Sequence, residues 1–390
     1  MRVGLFIDTY FPYVDGVVKV VDNYARRLSR MCEVTVFTVG CYKGYDENLD
    51  KEYPYKIVRT HVAGFKNSEY IAPFPFLDPV FQKKLWSSKL DIIHIHSPFS
   101  IAKEGLKYAK VRGIPAVSTL HSQYKKDVYE RIHFPPFRWI SFNFLMSTFN
   151  ASHLCWAVND AVKNLYINEY GLKTLCLVKN NATDHIPVED PIMARKLVNE
   201  TFRLKSDRPL LIFVGRLARV KNEEFLVRSL KILKEKGQKF QMLFVGGGPN
   251  EKHLAQMVAE LSMGDCIKVA GPLDNLGLIR YIYSAADLML FPSLYDCSSI
   301  VQIEAACQRT PVLFVEGAAT ASTVTPEVNG FVAPNDETAY ADEVMGILKD
   351  PERLQRVSEG ALRDLYVTWD TAVAGVYEDY KSIIESYKKK

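Results

Sequence analysis

Leu210-Leu211-Ile212-Phe213-Val214-Gly215-Arg216-Leu217-Ala218-Arg219-Val220-Lys221-Asn222 decides how this chain folds. Five unbroken apolar residues read as a strand buried on both faces. Gly215 ends the run and opens a polar loop. Beyond it, Glu223–Lys236 has apolar residues at helical spacing, and Gln241–Val245 is a second short apolar run. Strand, loop, helix and strand make the βαβ unit of a parallel sheet flanked by helices.

The same alternation extends outward in both directions. Downstream, strands are expected at Ile267–Ala270, Leu288–Phe291, Val312–Val315 and Phe331–Ala333, and helices at Asn250–Ser262, Asn275–Ser284 and Ser299–Gln308. Upstream, strands are expected at Val3–Ile7, Val34–Thr38, Ile57–His61, Asp91–His96, Ala116–Leu120, Leu154–Val158 and Leu175–Val178. Val17, Val20, Val21, Tyr24 and Leu28 mark a helix after the first strand. The fold class is therefore α/β, with two successive doubly wound, Rossmann-like domains facing a central cleft. The polar, proline-terminated Asn180–Pro187 separates them, giving domains 1–185 and 186–368. A terminal helical segment, 369–390, is expected to pack back toward the first domain.

Composition narrows the class. The chain has 390 residues, 48% hydrophobic and 24% charged, which excludes a largely disordered polypeptide. No stretch approaches the ~18–20 apolar residues of a membrane span. Met1–Asp8 meets an acid too soon to serve as a secretory signal, so a cytoplasmic location is expected. Seven cysteines without a C-x-x-C pair read as free, mostly buried thiols. Residues 1–180 carry 24 basic and 16 acidic side chains, a formal +8, and the remainder 25 and 29, a formal −4. A basic first half suits an anionic surface, although a solvated basic face serves equally well. No nucleic-acid recognition module is visible, so nucleic acid is not an expected partner.

Absent motifs exclude common chemistries. There is no Gly-Lys dipeptide for a phosphate loop, and no G-x-G-x-x-G after the first strand for a dinucleotide. H-E-x-x-H, G-x-S-x-G and D-x-D are also missing. Neither a cofactor nor a metal is expected.

Three strand-end loops could carry chemistry. In Asp8-Thr9-Tyr10-Phe11-Pro12-Tyr13-Val14-Asp15-Gly16-Val17, a glycine at a helix start lets amides approach a phosphate, or is a plain turn glycine. Arg216 and Lys221, at the C-terminal end of a strand, can neutralise a diphosphate leaving group; otherwise they are solvated loop cations. In Phe291–Ala306, Asp296 precedes a helix and Glu304 lies inside it, carboxylates suited to pairs of sugar hydroxyls. The amides of Ser299, Ile300 and Val301 can hold a phosphate. Alternatively, Asp296 or Ser298 is an N-cap and Glu304 a surface charge.

D-T-Y-F-P-Y-V-D-G-V, G-R-L-A-R-V-K, V-G-G-G-P, F-P-S and the D-x7-E pair occur in this order along nearly the whole chain. Together they resemble the large retaining glycosyltransferase family of GT-B architecture, which includes bacterial diacylglycerol glucosyltransferases and phosphatidylinositol mannosyltransferases. The resemblance implies a nucleotide-sugar donor held mainly by the second domain and an acceptor held by the first. It matches Arg216 and Lys221 to the diphosphate-binding pair and Glu304 to the ribose-binding carboxylate. Asp296 matches the acid on donor-sugar hydroxyls, and Gly16 the glycine whose amide approaches the donor phosphate. Gly271-Pro272-Leu273 is similar to the segment beside the base. His121, at the end of a strand, matches a histidine near the donor sugar, whereas His94 and His96 read as structural. The chain departs from the family's E-G-F-G-[LIV], which is here Asp296-Cys297-Ser298-Ser299-Ile300. Cys297 and Ser299 put side chains where the family has glycines.

The expected reaction moves a hexose from a nucleoside diphosphate sugar, a UDP-sugar, to a hydroxyl with retained configuration. Front-face attack suits it, because no motif-matched carboxylate is an obvious nucleophile. Lys125, Lys126, Arg131 and Arg138 lie among Tyr124, Tyr129, Phe134, Phe137, Trp139, Phe142, Phe144 and Phe149, a mixture that seats proteins on anionic lipid. That favours a lipid or lipid-linked acceptor at the inner membrane face, while a buried helix Phe137–Phe149 is the plainer reading. A soluble or polysaccharide acceptor, and a non-catalytic sugar-nucleotide binder with a degenerate donor loop, are the competing functions.

Overall fold

The computed structural model describes residues 1–40, 45–61 and 74–389. Cys41, one of the expected free thiols, lies outside them; the other six cysteines are free. The chain forms two compact units, Met1–Asn181 with Trp369–Lys390, and Ala182–Thr368. The division comes slightly before residue 185 because Thr183 donates to the Val367 carbonyl and bridges Thr368, tying the connecting strand into the second unit.

In the first unit, β1 (Arg2–Phe6), β2 (Glu33–Thr38), β3 (Lys56–Arg59), β4 (Ile92–Ile95), β5 (Ala116–Leu120), β6 (Leu154–Ala157) and β7 (Cys176–Val178) form a sheet ordered β3-β2-β1-β4-β5-β6-β7. Every pair is parallel. Near-continuous apolar strands leave both faces to be covered, so helices pack on each side. The helix Gly16–Leu28 starts where Asp15 caps the Val18 amide, and it buries Val18, Val20, Val21, Tyr24, Ala25 and Leu28. Phe6 stacks on Phe37, and Phe81, Ile93 and Tyr108 complete one core layer.

The C-terminal helix Trp369–Lys388 belongs to this unit. Trp369, Val373, Val376 and Tyr380 repeat at helical spacing and are buried. Asp370 pairs with Arg27, and Asp379 with Lys179, at the flanks of that stripe.

In the second unit, β8 (Leu210–Val214), β9 (Gln241–Val245), β10 (Ile267–Val269), β11 (Leu288–Phe291), β12 (Val312–Val315) and β13 (Phe331–Ala333) are ordered β10-β9-β8-β11-β12-β13, again all parallel. The helices Glu223–Glu235, Glu251–Glu260, Leu276–Ala285 and Ile300–Cys307 stand within two residues of their expected bounds. Leu211, Phe213, Phe244, Leu290 and Phe314 fill the core.

Strand order reverses between β1 and β4 in one sheet and between β8 and β11 in the other. At such a point successive connections leave in opposite directions, so the loops part and open a crevice at the strand C-termini. Among the described residues no helix is long and apolar enough to cross a membrane.

Candidate active site

In the second unit, the loops after β8 and β11 meet across the reversal point. The first ends in a 3-10 turn, Arg219–Lys221, and Asn222 takes a left-handed conformation before the helix Glu223–Glu235. Three ties join the loops. Ser293 donates its hydroxyl to the Val220 carbonyl at 3.3 Å, Asn222 Nδ2 donates to the Pro292 carbonyl at 3.4 Å, and Lys221 Nζ donates to Asp296 Oδ1 at 2.5 Å. Lys221 and Asp296 are both mostly buried, and Lys221 Nζ also stands 5.8 Å from the centre of the Phe291 ring. The second oxygen of Asp296 is buried and has no partner among the described residues. Arg216, by contrast, is exposed on the same loop.

A third loop, Gly246-Gly247-Gly248, packs backbone to backbone on the first. A Cβ on Gly246 would lie 1.9 Å from the Gly215 carbonyl oxygen, and one on Gly248 would lie 2.2 Å from that of Leu217. Only glycine permits this approach. Gly246 donates to the Gly271 carbonyl at 2.9 Å, which joins Gly271-Pro272-Leu273 to the same cluster. Leu273 is half-buried against the core.

Ser299 is the N-cap of the helix Ile300–Cys307. With Ser299 in that position, neither Asp296 nor Ser298 is the N-cap; the Ser299 hydroxyl makes no capping bond and is buried without a partner among the described residues. The amides of Ile300 and Val301 lie in the first turn, where a helix's own carbonyls cannot reach. Glu304 is half-buried and accepts the Tyr283 hydroxyl at 2.7 Å, so it is not a free surface charge.

In the first unit, Gly16 opens the helix Gly16–Leu28, and a Cβ built there meets no atom of the described residues within 4 Å. Asp8, just past β1, is buried. It accepts from the hydroxyls of Ser97 and Ser100 and from the Ile101 amide, at 2.8, 3.1 and 2.9 Å. Burial outweighs these bonds and lifts its carboxyl to about 6. His121 follows β5 directly, and its Nε2 is 3.1 Å from His96 Nδ1. Burial pushes His121 down to about 3 and holds His94 and His96 well below the ordinary imidazole range. Among the described residues no group of three or more His, Cys, Asp or Glu could hold a metal ion.

Residues 195–364 match the family Glycosyl transferases group 1, and residues 14–182 match Glycosyltransferase Family 4. The chain belongs to the group 1 glycosyltransferases. This glycosyltransferase is 24% identical to an alpha-monoglucosyldiacylglycerol synthase of Acholeplasma laidlawii over 374 residues, covering 93% of this chain and 92% of that protein. It is also 24% identical to the alpha-D-kanosaminyltransferase of Streptomyces kanamyceticus, over 69% of this chain and 71% of that one. Sucrose-phosphate synthase from Thermosynechococcus elongatus has the same fold, with a TM-score of 0.79 at 18% identity and 99% coverage of both chains. So does Anabaena HepE in complex with UDP and glucose, with a TM-score of 0.75 at 16% identity, covering 98% of this chain and 100% of that one. These likenesses establish the GT-B architecture.

Within the glycosyltransferase's second unit, Lys221, Asp296, Ser299, Ile300, Val301 and Glu304 come from the loops and helix at the reversal point, with Arg216 on the β8 loop. Gly16 and His121 stand in the first unit. Asp8 and Tyr283 are not among the expected site residues, and His96 reads from the sequence as structural. Asp8 and His96 both sit at strand C-termini, the criterion that selected His121. Tyr283 meets Glu304 only through tertiary packing, and no local pattern marks it.

Proposed function

We propose that this glycosyltransferase moves a hexose from a UDP-sugar to a hydroxyl of a lipid or lipid-linked acceptor, with retained anomeric configuration. The observation that carries this reading is the Lys221–Asp296 pair, held by loop ties at the point of the second sheet where a ligand crevice forms. Lys221 and the exposed Arg216 offer positive charge to a diphosphate, and the amides of Ser299, Ile300 and Val301 add a helix N-terminus. Asp296 keeps one oxygen for donor-sugar hydroxyls, Glu304 serves the ribose, and Gly271 and Leu273 border the base. Gly16 approaches the donor phosphate, and His121 hydrogen-bonds the donor sugar.

The bond from the anomeric carbon to the diphosphate breaks while the acceptor oxygen bonds that carbon from the same face. The acceptor's proton passes to the departing phosphate oxygen. Fixed cations stabilise the charge that develops there, so catalysis is positioning and electrostatics, with no cofactor and no metal.

The acceptor assignment is supported by the alpha-monoglucosyldiacylglycerol synthase relative and by one surface of the first unit. The helix Pro135–Asn150 buries Leu145, Met146, Thr148 and Phe149 but leaves its N-terminal half open, with Trp139 67% and Phe137 58% exposed. Phe134, Ile140 and Phe144 are exposed beside them, and Lys125, Lys126, Arg131 and Arg138 belong to the same segment. Apolar side chains flanked by cations suit an anionic bilayer surface, which would make the protein peripheral on the inner face of the membrane. The test is transfer from labelled UDP-glucose to diacylglycerol in vesicles with and without anionic lipid. Lipid-dependent incorporation supports the reading; full activity on water-soluble sugars with no lipid effect overturns the acceptor.

A further inference from the structure

We infer that His96 is a positioning residue that fixes the tautomer of His121, so that His121 presents a proton on Nδ1 and acts as a hydrogen-bond donor. This rests on the reading that His121 meets the donor sugar, but the tautomer itself can be measured independently of that reading.

His94, His96 and His121 form a row across the ends of β4 and β5. His94 is satisfied at both nitrogens, Nδ1 with the Tyr380 hydroxyl and Nε2 with Thr119 Oγ1, each at 2.6 Å. His96 is fully buried, and among the described residues its ring has one hydrogen bond, between Nδ1 and His121 Nε2. The rings of His96 and His121 are within 20° of coplanar, with centroids 5.4 Å apart and these nitrogens 3.1 Å apart. The centroid separation is close to the nitrogen separation plus the two ring radii. The bond therefore lies in the plane of both rings, as a true N–H···N bond requires.

All three rings are desolvated and neutral, so each carries a single proton. Two arrangements are possible. If His121 donated from Nε2, the proton of His96 would sit on its own Nε2, a buried N–H with nothing to receive it. Orphaned buried donors are the rarest kind of unsatisfied group, and an unpaired acceptor is better tolerated. The proton of His96 therefore belongs on Nδ1, where it is donated to His121 Nε2. That leaves the proton of His121 on Nδ1, which has no hydrogen-bond partner among the described residues. His121 can then donate to a hydroxyl or phosphate oxygen of the donor, and through that atom it cannot take the acceptor's proton as a base. Nothing in the sequence distinguishes His96 from His94 in this way, because the two alternate with apolar residues along the same run.

The experiment is long-range proton–nitrogen NMR on protein labelled at its histidine rings, with His121 assigned by its loss in His121→Gln. Wild type should show His121 protonated at Nδ1. In His96→Phe it should shift toward the Nε2-protonated form that an unconstrained imidazole prefers. His96→Asn, which keeps an N–H near the Nδ1 position, should restore the Nδ1 form. Turnover should follow, falling at least ~tenfold in His96→Phe and recovering in His96→Asn. A wild-type signal protonated at Nε2 overturns the inference even if the variants fail to fold, as does an unchanged tautomer in a folded His96→Phe. A shifted tautomer with unchanged turnover upholds the role of His96 and removes His121 from the donor site.

Discussion

Lys221 Nζ and Asp296 Oδ1 stand 2.5 Å apart, joining two loops that are 75 residues apart in sequence. The pair leaves acceptor capacity unused, because the other carboxylate oxygen of Asp296 has no partner among the described residues. A diphosphate and a sugar hydroxyl could therefore engage the two residues without first breaking the bond that aligns them.

Lys221→Ala should lower kcat by about 10²–10³-fold, the usual effect of deleting one charge-stabilising donor. The fold should persist, since the Ser293 and Asn222 ties remain. Steady-state kinetics with circular dichroism checks this, and near-normal turnover in a folded variant removes the diphosphate assignment.

Gly16→Ala tests the first unit. A Cβ there touches no atom of the described residues, so melting should change by no more than ~2 °C. If the donor phosphate approaches that amide, the methyl group blocks it, and kcat/KM should fall about tenfold or more. Unchanged kinetics would place the phosphate elsewhere.

Asp8 gives the pH prediction. Its carboxyl rises from 3.8 to about 6 in the fold, so the native state holds this proton more tightly than the unfolded chain. Its contribution is whole below about pH 4 and is lost as pH rises through 6. Asp8→Asn removes that titration. Its stability relative to wild type should rise by up to ~3 kcal/mol between pH 4 and pH 7 in urea unfolding. Parallel profiles would contradict the assignment.

Tyr380→Phe removes the hydroxyl bonded to buried His94 and leaves Nδ1 of that ring unpaired. The expected cost is ~1–3 kcal/mol, read as a lower urea midpoint. An unchanged midpoint would mean that the C-terminal helix is held by its apolar stripe alone.

Replacing Phe137 and Trp139 together with serine removes two exposed aromatics and should leave melting unchanged. Co-sedimentation with anionic vesicles should fall about tenfold or more, because each side chain gains about 1.5–3 kcal/mol on burial. Equal binding by the variant would show that this surface does not meet lipid.

The strands, their alternation with helices and the two-unit organisation were legible because they are local. Apolar runs such as Leu210–Val214 and Leu288–Phe291 must be covered on both faces, and the chain between successive strands such as Leu210–Val214 and Gln241–Val245 has room for one helix. Arg216, Lys221, Asp296, Glu304 and His121 were legible as candidates because each lies in or near a strand-end loop within a recognisable motif. The open half of Pro135–Asn150 was not, since aromatic residues at helical spacing look the same buried or bare.

What the amino-acid order determined by itself is which segments become strand and helix, and which loops carry charge. What only the tertiary structure decided is partnership: Lys221 with Asp296, Glu304 with Tyr283, His121 with His96, Asp8 with the start of another helix. Sequence periodicity records the need for burial, which each segment carries within itself. A hydrogen bond depends on a second group brought near by strand order, and in these sheets that order reverses where the site forms.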